Sequence, residues 1–383
     1  MESPNRLREV ELRRVRLPLV RPFRTAQGTE LERDILLLRA RTEAGDGWGE
    51  CCALAAPTYT SEYVQGAHAV IRDHLLPRLF ATPDFRAEAV AGRLAPVKGH
   101  RMAKAALEMA LLDAQLRREG RSFAGWLGAT RDRVECGVAV GIALGLDALL
   151  EEVAGYVAAG YPRVKLKIQP GWDVAPLAAV RERFGPDLLL QADANGAYGP
   201  GDAAHLRELD AFGLACLEQP LPEEELQATA EVARQLRTPI CLDESIVSMA
   251  TAREALRLRA CRLVCLKPSR VGGYVEARRI HDLCRAEGIP VWCGGMLETG
   301  IGRAGNLALA ALPGFALPGD LSGSDRYYAH DLVTEPLRVE GVTMAVPQGP
   351  GLGVTVDEAF LAERTTFVET LDATGGRSET GAV

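Results

Sequence analysis

The stretch RVKLKIQP, residues 163–170, decides the fold, because it is typical of a buried β-strand and yet carries two cations. Successive side chains of a strand point to opposite faces, so Lys165 and Lys167 share one face. The apolar side chains on the other face are Val164, Leu166 and Ile168. An unpaired ammonium group is costly to bury. The pattern therefore predicts a strand whose lysines are paired, tuned for chemistry, or exposed.

From about residue 134 onward, strand-like and helix-like stretches alternate. Apolar runs such as LLLQADAN (188–195) and RLVCLKP (262–268) are separated by helical stretches such as APLAAVRERFG (175–185). Strands that alternate with helices of this length form βαβ units on a parallel sheet. Seven or eight such units over roughly 190 residues predict a closed α/β barrel of the TIM type.

The first 130 residues have a different pattern, with three strand-like segments followed by an amphipathic helix at 99–120. They predict an α+β domain, residues 1–130, placed before a barrel over residues 131–325. Residues 326–370 have strand and turn signals but no βα rhythm, and we expect them to pack back on the N-terminal domain. The polar end, 371–383, is expected to be a flexible tail.

Composition restricts the class of protein. The 383 residues are 47% hydrophobic and 25% charged, and the formal net charge is −7. These values are ordinary for a globular protein and give no reason to expect a nucleic-acid or membrane partner. The N-terminus has no continuous apolar segment and therefore no signal-peptide pattern. The nine cysteines and six histidines lack CxxC or HExxH spacing, which favours buried free thiols in a reducing cytoplasm over a zinc site.

Charged residues end five successive predicted barrel strands. They are Lys165 and Lys167, then Asp193, Glu218, Asp243 and Lys267. From Lys167 onward the spacings are 26, 25, 25 and 24 residues, which is one βα unit each time. The C-terminal ends of parallel barrel strands meet at one mouth, where active sites of this architecture lie. We therefore expect the six side chains to converge.

Three carboxylates from adjacent strands, without histidine, predict a site for a hard divalent cation, Mg²⁺ first and Mn²⁺ second. The alternative is that the acids only neutralise the three lysines. Three cysteines each precede a charged site residue by two and are expected to face inward one layer below it: Cys216, Cys241 and Cys265.

The lysines can serve as bases if their pKa falls from its usual value near 10.4. We expect Lys165 and a nearby cation to lower the pKa of Lys167, and Arg270 to do the same for Lys267. A cation that holds a substrate carboxylate, with a lysine on each side of the α-carbon, is suited to abstraction of the α-proton. Two opposed bases permit racemisation, and one base with a leaving group permits β-elimination.

The KxK motif at 165–167 and the order Asp, Glu, Asp, Lys resemble the muconate-lactonising subgroup of the enolase superfamily. Longer stretches, at 99–114, 291–328 and QGPGLGV (348–354), are similar to the o-succinylbenzoate synthase / N-succinylamino acid racemase family. The resemblance implies a (β/α)7β TIM-like barrel under an α+β capping domain, which is built from the N-terminal region and the C-terminal segment. It also implies a cytoplasmic homo-oligomer.

The resemblance also implies residue roles. Asp193, Glu218 and Asp243 would be the metal ligands, Lys167 and Lys267 the acid/base pair, and Lys165 an electrostatic helper. Loops of the capping domain, RPFRTAQG (21–28) and AAPTYTSEY (55–63), would close the site and select the substrate. The expected substrate contacts and their immediate supports are Phe23, Tyr59, Asn195, Arg270, Gly295 and Met296.

The implied activity is that of a metal-dependent lyase or racemase acting on a small carboxylate. One reaction is dehydration of 2-succinyl-6-hydroxy-2,4-cyclohexadiene-1-carboxylate to o-succinylbenzoate, a menaquinone precursor. The other is racemisation of N-succinyl- or other N-acylamino acids. Three positions depart from the family pattern and leave the substrate open: Ala139 stands for a common serine, Cys265 for a common asparagine, and Ala192 for a β-branched residue.

Other functions remain open from the sequence. A muconate-type cycloisomerase or a dipeptide epimerase would share the fold, although GDLSGSD (319–325) lacks the DxD of the epimerases. The GxGxxG match GIGRAG (300–305), with Asp320 about 20 residues later, could instead indicate a nicotinamide-dependent oxidoreductase. The same glycines could offer backbone amides to a substrate carboxylate. A binding or structural protein that lost its chemistry would lack a base or ligand, and all six are present.

Overall fold

Two β-sheets organise the computed structural model, which describes residues 6–43, 45–82 and 86–381. The strands are β1 (Leu7–Thr25), β2 (Gly28–Thr42), β3 (Gly45–Cys51), β4 (Arg133–Glu135), β5 (Val138–Val140), β6 (Arg163–Lys167), β7 (Leu189–Asp193), β8 (Leu217–Glu218), β9 (Ile240–Leu242), β10 (Leu263–Leu266), β11 (Val291–Cys293), β12 (Thr343–Ala345), β13 (Thr365–Asp372) and β14 (Arg377–Gly381). One sheet is antiparallel, in the order β14-β13-β1-β2-β3, and the other is parallel, from β5 to β11 in chain order; β12 pairs with β4.

Helices cover both sheets. They are α1 (Val64–Val70), α2 (Leu76–Phe80), α3 (Val90–Leu94), α4 (Arg101–Glu119), α5 (Phe123–Leu127), α6 (Leu146–Ala158), α7 (Val174–Phe184), α8 (Ala203–Leu206), α9 (Leu226–Ala233), α10 (Met249–Leu258), α11 (Pro268–Val271), α12 (Tyr274–Ala286), α13 (Gly300–Ala310) and α14 (Glu358–Arg364). A π-helical turn (Ile71–Leu75) joins α1 to α2, and short 3₁₀ helices occupy Ala87–Ala89, Pro200–Asp202, Arg207–Phe212 and Ser324–Arg326. Across the described ranges, no helix has the length and apolar character needed to cross a membrane.

The parallel strands β5–β11 form a barrel that a short extended segment closes. Phe315 bridges β11 at Val291, and Gly319 bridges Cys136 just before β5, both in parallel register. The amide of Asp320 donates to the carbonyl of Cys293 (2.9 Å), so this segment takes the eighth strand position. Each of the seven strands before it is followed by at least one helix. The predicted (β/α)7β barrel with an α+β capping domain is therefore confirmed.

The capping domain is held together by the close contact of α4 with β3. Gly47 and Gly49 make that contact possible, because a Cβ on either glycine would lie 2.1 Å from a backbone oxygen of α4. Gly120, directly after α4, has a left-handed conformation (φ 65°) that turns the chain so that the amide of Arg121 donates to the carbonyl of Leu116 (3.0 Å). The long apolar face of α4 thus lies flat on the sheet.

The C-terminus returns to the capping sheet, where β13 pairs antiparallel with β1. Within the segment 371–383, which the sequence predicts to be a flexible tail, residues 377–381 instead form β14 on the edge of this sheet. Asp372 shapes the turn before β14, since its Oδ1 accepts hydrogen bonds from the amides of Thr374 (2.7 Å) and Gly376 (2.9 Å). Residues 382 and 383 lie outside the described residues.

The glycine contact leads to a stability prediction. Gly49→Ala should lower the free energy of unfolding by about 1–3 kcal/mol, because the added methyl group meets the carbonyl of Ala106 and forces α4 off the sheet. Gly92→Ala is the matched control: Gly92 lies in α3 with open space around its Cβ position, so the same change should be neutral or stabilising by about 0.4–1 kcal/mol. Urea denaturation of the three proteins measures both effects, and equal stability of Gly49→Ala and wild type would contradict the prediction.

Candidate active site

The six charged residues predicted from strand spacing converge at the C-terminal mouth of the barrel. Lys167, Asp193 and Glu218 are the last residues of β6, β7 and β8, while Asp243 and Lys267 directly follow β9 and β10. The strand register pairs Lys167 with Asp193 and Asp193 with Glu218, so these side chains start at one level of the barrel. All six side chains are buried, Lys167 being the most exposed at 8%.

Lys165 lies at the centre of the carboxylates. Its Nζ is 2.9 Å from Asp193 Oδ2 and donates to both oxygens of Glu218 (3.2 and 3.0 Å). The same atom lies 2.5 Å from Asp320 Oδ2. Asp320 is therefore a site residue, although from the sequence it was expected only as part of a dinucleotide-binding motif. Its place at the end of the eighth strand position was the signal that could have found it.

Each of the other two lysines pairs with one carboxylate. Lys167 Nζ donates to Asp193 Oδ2 (2.6 Å) and to Asn195 Oδ1 (2.7 Å). Lys267 Nζ donates to Asp243 Oδ2 (2.6 Å) and to the hydroxyl of Tyr59 (2.8 Å). The Tyr59 hydroxyl in turn lies 3.2 Å from Asp243 Oδ2 and can donate to it. Tyr59, a capping-domain residue, therefore contacts both members of the Lys267–Asp243 ion pair.

The prediction that a neighbouring cation, Arg270, lowers the pKa of Lys267 is wrong in the protein alone, and the pKa of Lys165 is raised in the same way. Burial disfavours their charged forms, but the carboxylates around Lys165, led by Asp193, outweigh burial and raise its pKa well above the usual value. Asp243 does the same for Lys267. The reason is distance: the carboxylates lie within direct contact of the ammonium groups. Within the protein, each of these lysines is a counter-ion.

Three further side chains that the sequence did not identify support this network. Gln191 Nε2 donates to Glu218 Oε2 (2.6 Å), and Gln219 Oε1 accepts from the amide of Asp243 (3.1 Å). Glu244 Oε1 accepts from the amide group of Asn195 (2.7 Å). Burial, followed by the negative charge of Asp243, raises the pKa of Glu244 to about 7. All three lie within two residues of a predicted site residue, and nothing in their spacing distinguishes them, so the sequence alone could not identify them.

A cavity above the lysines lies between the barrel mouth and the capping domain. Phe23 and Tyr59 line its capping side, and Asn195, Gly295 and Met296 line its barrel side, together with all three lysines. Thr25 and Gln27, from the loop 21–28 that was expected to close the site, also line the cavity. Glu30, Leu54, Ala139 and Tyr327 line it as well and were not among the expected contacts. The structure thus brings five of the six expected substrate contacts or supports to one pocket.

Arg270 is the exception, because it lies behind the pocket. Its guanidinium carbon is 5.0 Å from the centre of the Tyr59 ring, on which it packs, and Nη2 donates to Glu223 Oε2 (3.2 Å) and to the carbonyl of Glu244. Its Nε is 3.9 Å from Asp243 Oδ1. Arg270 therefore supports the Tyr59 and Asp243 side of the site without facing the cavity.

The carboxylate cluster fits a divalent cation. Burial and the like charges of Asp193 and Asp243 raise the pKa of Glu218 well above its usual value, a sign that the acids repel one another. Asp243 Oδ1 is buried and accepts no hydrogen bond from the described residues. Ligand atoms of Glu218, Asp243 and Cys265 lie within 4.8 Å of one another. Oxygen donors of this kind suit a hard cation.

The barrel floor below the charges consists of thiols and one indole. Cys216, Cys241 and Cys265 form a buried cluster with Trp292, as their spacing predicted. Trp292 Nε1 donates to Cys241 Sγ (3.1 Å), and the Lys165 ammonium lies 4.8 Å from the centre of its ring. All nine cysteines are buried and free, which confirms the expectation of buried free thiols.

The GIGRAG stretch does not form a dinucleotide site. It starts α13, and its first-turn amides already have partners: Thr299 and Gly302 donate to the carboxylate of Glu50 (3.0 and 2.9 Å), and Gly300 donates to Asp331 (2.8 Å). The capping-domain carboxylate Glu50 thus takes the position that a phosphate or a substrate carboxylate would need. Both sequence hypotheses for these glycines are wrong, and the glycines serve close packing instead.

Comparison with known proteins agrees with this architecture. Residues 7–128 match the N-terminal domain family of mandelate racemase / muconate lactonizing enzyme, and residues 148–360 match the enolase C-terminal domain-like family. The chain is 59% identical over 361 residues to an N-succinylamino acid racemase from Amycolatopsis sp, covering 94% of this chain and 98% of that protein. It is 42% identical over 364 residues to the o-succinylbenzoate synthase of Bacillus subtilis, with 95% and 98% covered.

A solved structure extends the comparison to three dimensions. An enolase-superfamily member from Listeria innocua has a TM-score of 0.92 and 39% identity to this chain, with 96% of this chain and 99% of that one covered. The similarity therefore includes both the capping domain and the barrel.

A second buried capping-domain acid joins the two domains and predicts a pH effect. Glu108 of α4 accepts from the amide of Val275 at the start of α12 (3.0 Å), and burial raises the pKa of Glu108 to about 7. The folded protein therefore holds this proton more tightly than the unfolded chain. The resulting stability is present below about pH 4.5 and is lost as the pH rises to about 7.

Glu108→Gln should remove this part of the pH dependence, on the order of 3 kcal/mol between pH 4.5 and 7, because the amide stays neutral. Urea denaturation at several pH values measures it. Exposed Glu182→Gln on α7 is the matched control and should keep the wild-type profile. A Glu108→Gln profile as steep as that of wild type would rule out this role for Glu108.

Proposed function

Because the chain belongs to the enolase superfamily, we propose that it removes the proton α to a carboxylate, as an N-succinylamino acid racemase with o-succinylbenzoate synthase activity. The observation that carries the proposal is the position of two lysines on opposite sides of one cavity. Lys167 ends β6 and Lys267 follows β10, and these strands are four positions apart in a barrel of eight. Both lysines line the cavity.

The proposed racemisation uses one lysine on each face of the α-carbon. A neutral lysine takes the α-proton, the C–H bond breaks, and its electron pair passes into the carboxylate to give an enediolate. The opposite lysine, as an ammonium ion, returns a proton to the other face of the same carbon. Lys165 stays charged beside Asp193 and Glu218 and supplies fixed positive charge where the substrate carboxylate would lie.

We assign Asp193, Glu218 and Asp243 as ligands of a divalent cation, with Mg²⁺ as the first choice. When bound, the cation supplies positive charge that offsets the negative charge of the enediolate oxygens and disfavours protonated lysines nearby. Burial, followed by the negative charges of Asp243 and Glu218, raises the pKa of the Cys265 thiol well above its usual value. A protonated thiol does not compete for a hard cation, which favours Asp193 as the third ligand.

The dehydration uses the same groups. One lysine takes the α-proton, and the electron pair of the broken C–H bond forms the Cα–Cβ double bond as the C–O bond to the β-hydroxyl breaks. A lysine ammonium group gives the leaving oxygen a proton, and the oxygen departs as water. The relative from Bacillus subtilis, named as a synthase, supports this second activity. The relative from Amycolatopsis, named as a racemase, supports the first. Ala139 provides no hydroxyl to the cavity wall, so recognition of the acyl group depends on other contacts.

Isotope exchange tests the roles of the two lysines. With N-succinyl-L- and D-phenylalanine in D₂O and Mg²⁺, wild type should exchange the α-proton of both enantiomers. Lys167→Ala and Lys267→Ala should each abolish racemisation, and each should retain exchange with one enantiomer only, because one base remains. Loss of a positioned base costs on the order of 10²–10⁴-fold in rate. NMR follows the exchange, and racemisation by either variant at the wild-type rate would disprove the two-base assignment.

Thermal denaturation tests the cation site without relying on activity. Mg²⁺ at about 100 times its dissociation constant should stabilise wild type by about 2.7 kcal/mol and raise its Tm, and EDTA should reverse the shift. Asp193→Asn and Asp243→Asn should lose most of the shift, because each removes a charged ligand. Exposed Asp187→Asn is the control and should keep it. An unchanged Mg²⁺ shift in Asp193→Asn would exclude that residue as a ligand.

A further inference from the structure

The site contains a thiol where a hard-cation centre has no use for one. Cys265 Sγ, a Glu218 oxygen and an Asp243 oxygen all lie within 4.8 Å of one another, and the three residues are buried. Three donors at about 2.0–2.3 Å from one tetrahedral zinc ion lie roughly 3.3–3.8 Å from one another. Side-chain shifts of about 1 Å are therefore enough to bring all three donors onto a single ion.

We propose that Glu218, Asp243 and Cys265 form a second, overlapping site that captures thiophilic divalent cations such as Zn²⁺ and Cd²⁺. This mixed-donor site shares the carboxylates of Glu218 and Asp243 with the cation site of the proposed function, and it has Cys265 in place of Asp193. The inference rests on that proposed function. A cation in one site therefore excludes a cation from the other.

The contacts of Asp193 favour a choice between two third ligands, Asp193 for hard cations and Cys265 for thiophilic ones. Its Oδ2 is held by Lys167 (2.6 Å) and Lys165 (2.9 Å), so a cation that takes Asp193 as a ligand must compete with two ammonium groups. A cation that takes Cys265 leaves the Lys167–Asp193 pair intact. Sulfur suits soft and borderline cations, whereas Mg²⁺ gains little from it, so the identity of the cation decides which third ligand is used.

Asp243 provides independent support, because its Oδ1 is buried and accepts no hydrogen bond in the described part of the chain. Its other oxygen is already bonded to Lys267 and Tyr59. When the cation binds, the S–H bond of Cys265 breaks, an S–metal bond forms, and the proton leaves to solvent. No oxidant or reductant is involved, and the cation is the only added species.

Cobalt(II) is the probe that reports a thiolate ligand directly, through a sulfur-to-cobalt charge-transfer band in the near ultraviolet. The full-length wild-type protein, titrated with Co²⁺, should develop this band and saturate at one equivalent. Cys265→Ser and Cys265→Ala should bind Co²⁺ without the band. Cys241→Ser is the matched control, since Cys241 is a buried floor thiol outside the group of three donors, and it should keep the band.

Competition with Cd²⁺ measures the strength of the site. Cys265→Ser should bind Cd²⁺ on the order of 10–100-fold more weakly than wild type, while Mg²⁺ affinity should stay the same. Thermal denaturation confirms that each variant is folded, and two substitutions at Cys265 guard against one that is not. The proposal is overturned if Co²⁺ fails to bind wild type, binds without the band, or gives the band in both Cys265 variants.

The α-proton exchange assay with Mg²⁺, run on the same wild-type preparation before Co²⁺ is added, separates the two proposals. Exchange without the sulfur band overturns the mixed-donor site and leaves the proposed reaction standing. The band without exchange supports the mixed-donor site and overturns the proposed reaction.

Discussion

The ion contacts of Lys165 are the interaction on which the rest of the site depends. Three buried carboxylates, Asp193, Glu218 and Asp320, would repel one another strongly in an apolar barrel, and one ammonium group lies within direct reach of all three. The same network closes the barrel. Arg163, at the start of β6, pairs with Asp320 (2.8 Å) and donates to the carbonyl of Pro318 (2.8 Å), which ties the eighth strand position to the second. Charge balance and barrel closure therefore depend on the same residues.

The capping domain is attached by the same means, buried carboxylates that accept hydrogen bonds from barrel helices. Glu50 of β3 holds the first turn of α13, and Glu108 of α4 holds the first turn of α12. Helix α13 follows Gly295 and Met296, which line the cavity, so its position fixes one wall of the pocket. Burial raises the pKa of both glutamates to about 7. The contact between the capping domain and the barrel is thus sensitive to protonation near pH 7, where Lys165 and Lys267 keep their charge because the surrounding carboxylates raise their pKa.

The barrel and the convergence of its charges could be predicted from sequence because both follow from one repeated distance. A charged residue that recurs every 24–26 positions, from Lys167 to Lys267, predicts one level of a parallel barrel, because each interval is one βα unit. The role of Asp320 could not be predicted in this way, because the eighth strand position is a short extended segment followed by a 3₁₀ helix (Ser324–Arg326) and not by an α-helix of the repeat. The strand at 377–381 could not be predicted, because the sequence of a polar edge strand resembles that of a flexible tail. Only the turn at Asp372 distinguishes the strand from a tail. The direction in which the lysine pKa values shift could not be predicted either. It depends on contact distances of 2.5–3.2 Å, which the spacing of residues in a sequence does not give.

Chemistry and substrate choice come from different parts of the molecule, and Tyr59 is where they meet. The lysines and carboxylates are fixed by strand register, whereas Phe23 and Tyr59 come from capping-domain segments that can vary without disturbing that register. Tyr59 nevertheless contacts Lys267 and Asp243, and Arg270 packs on the back of its ring. A movement of the capping segment would therefore change the partners of one lysine and leave the contacts of Lys167 unchanged. Because the two lysines act on opposite faces of the α-carbon in the proposed reaction, the capping domain has a physical means of affecting one face more than the other.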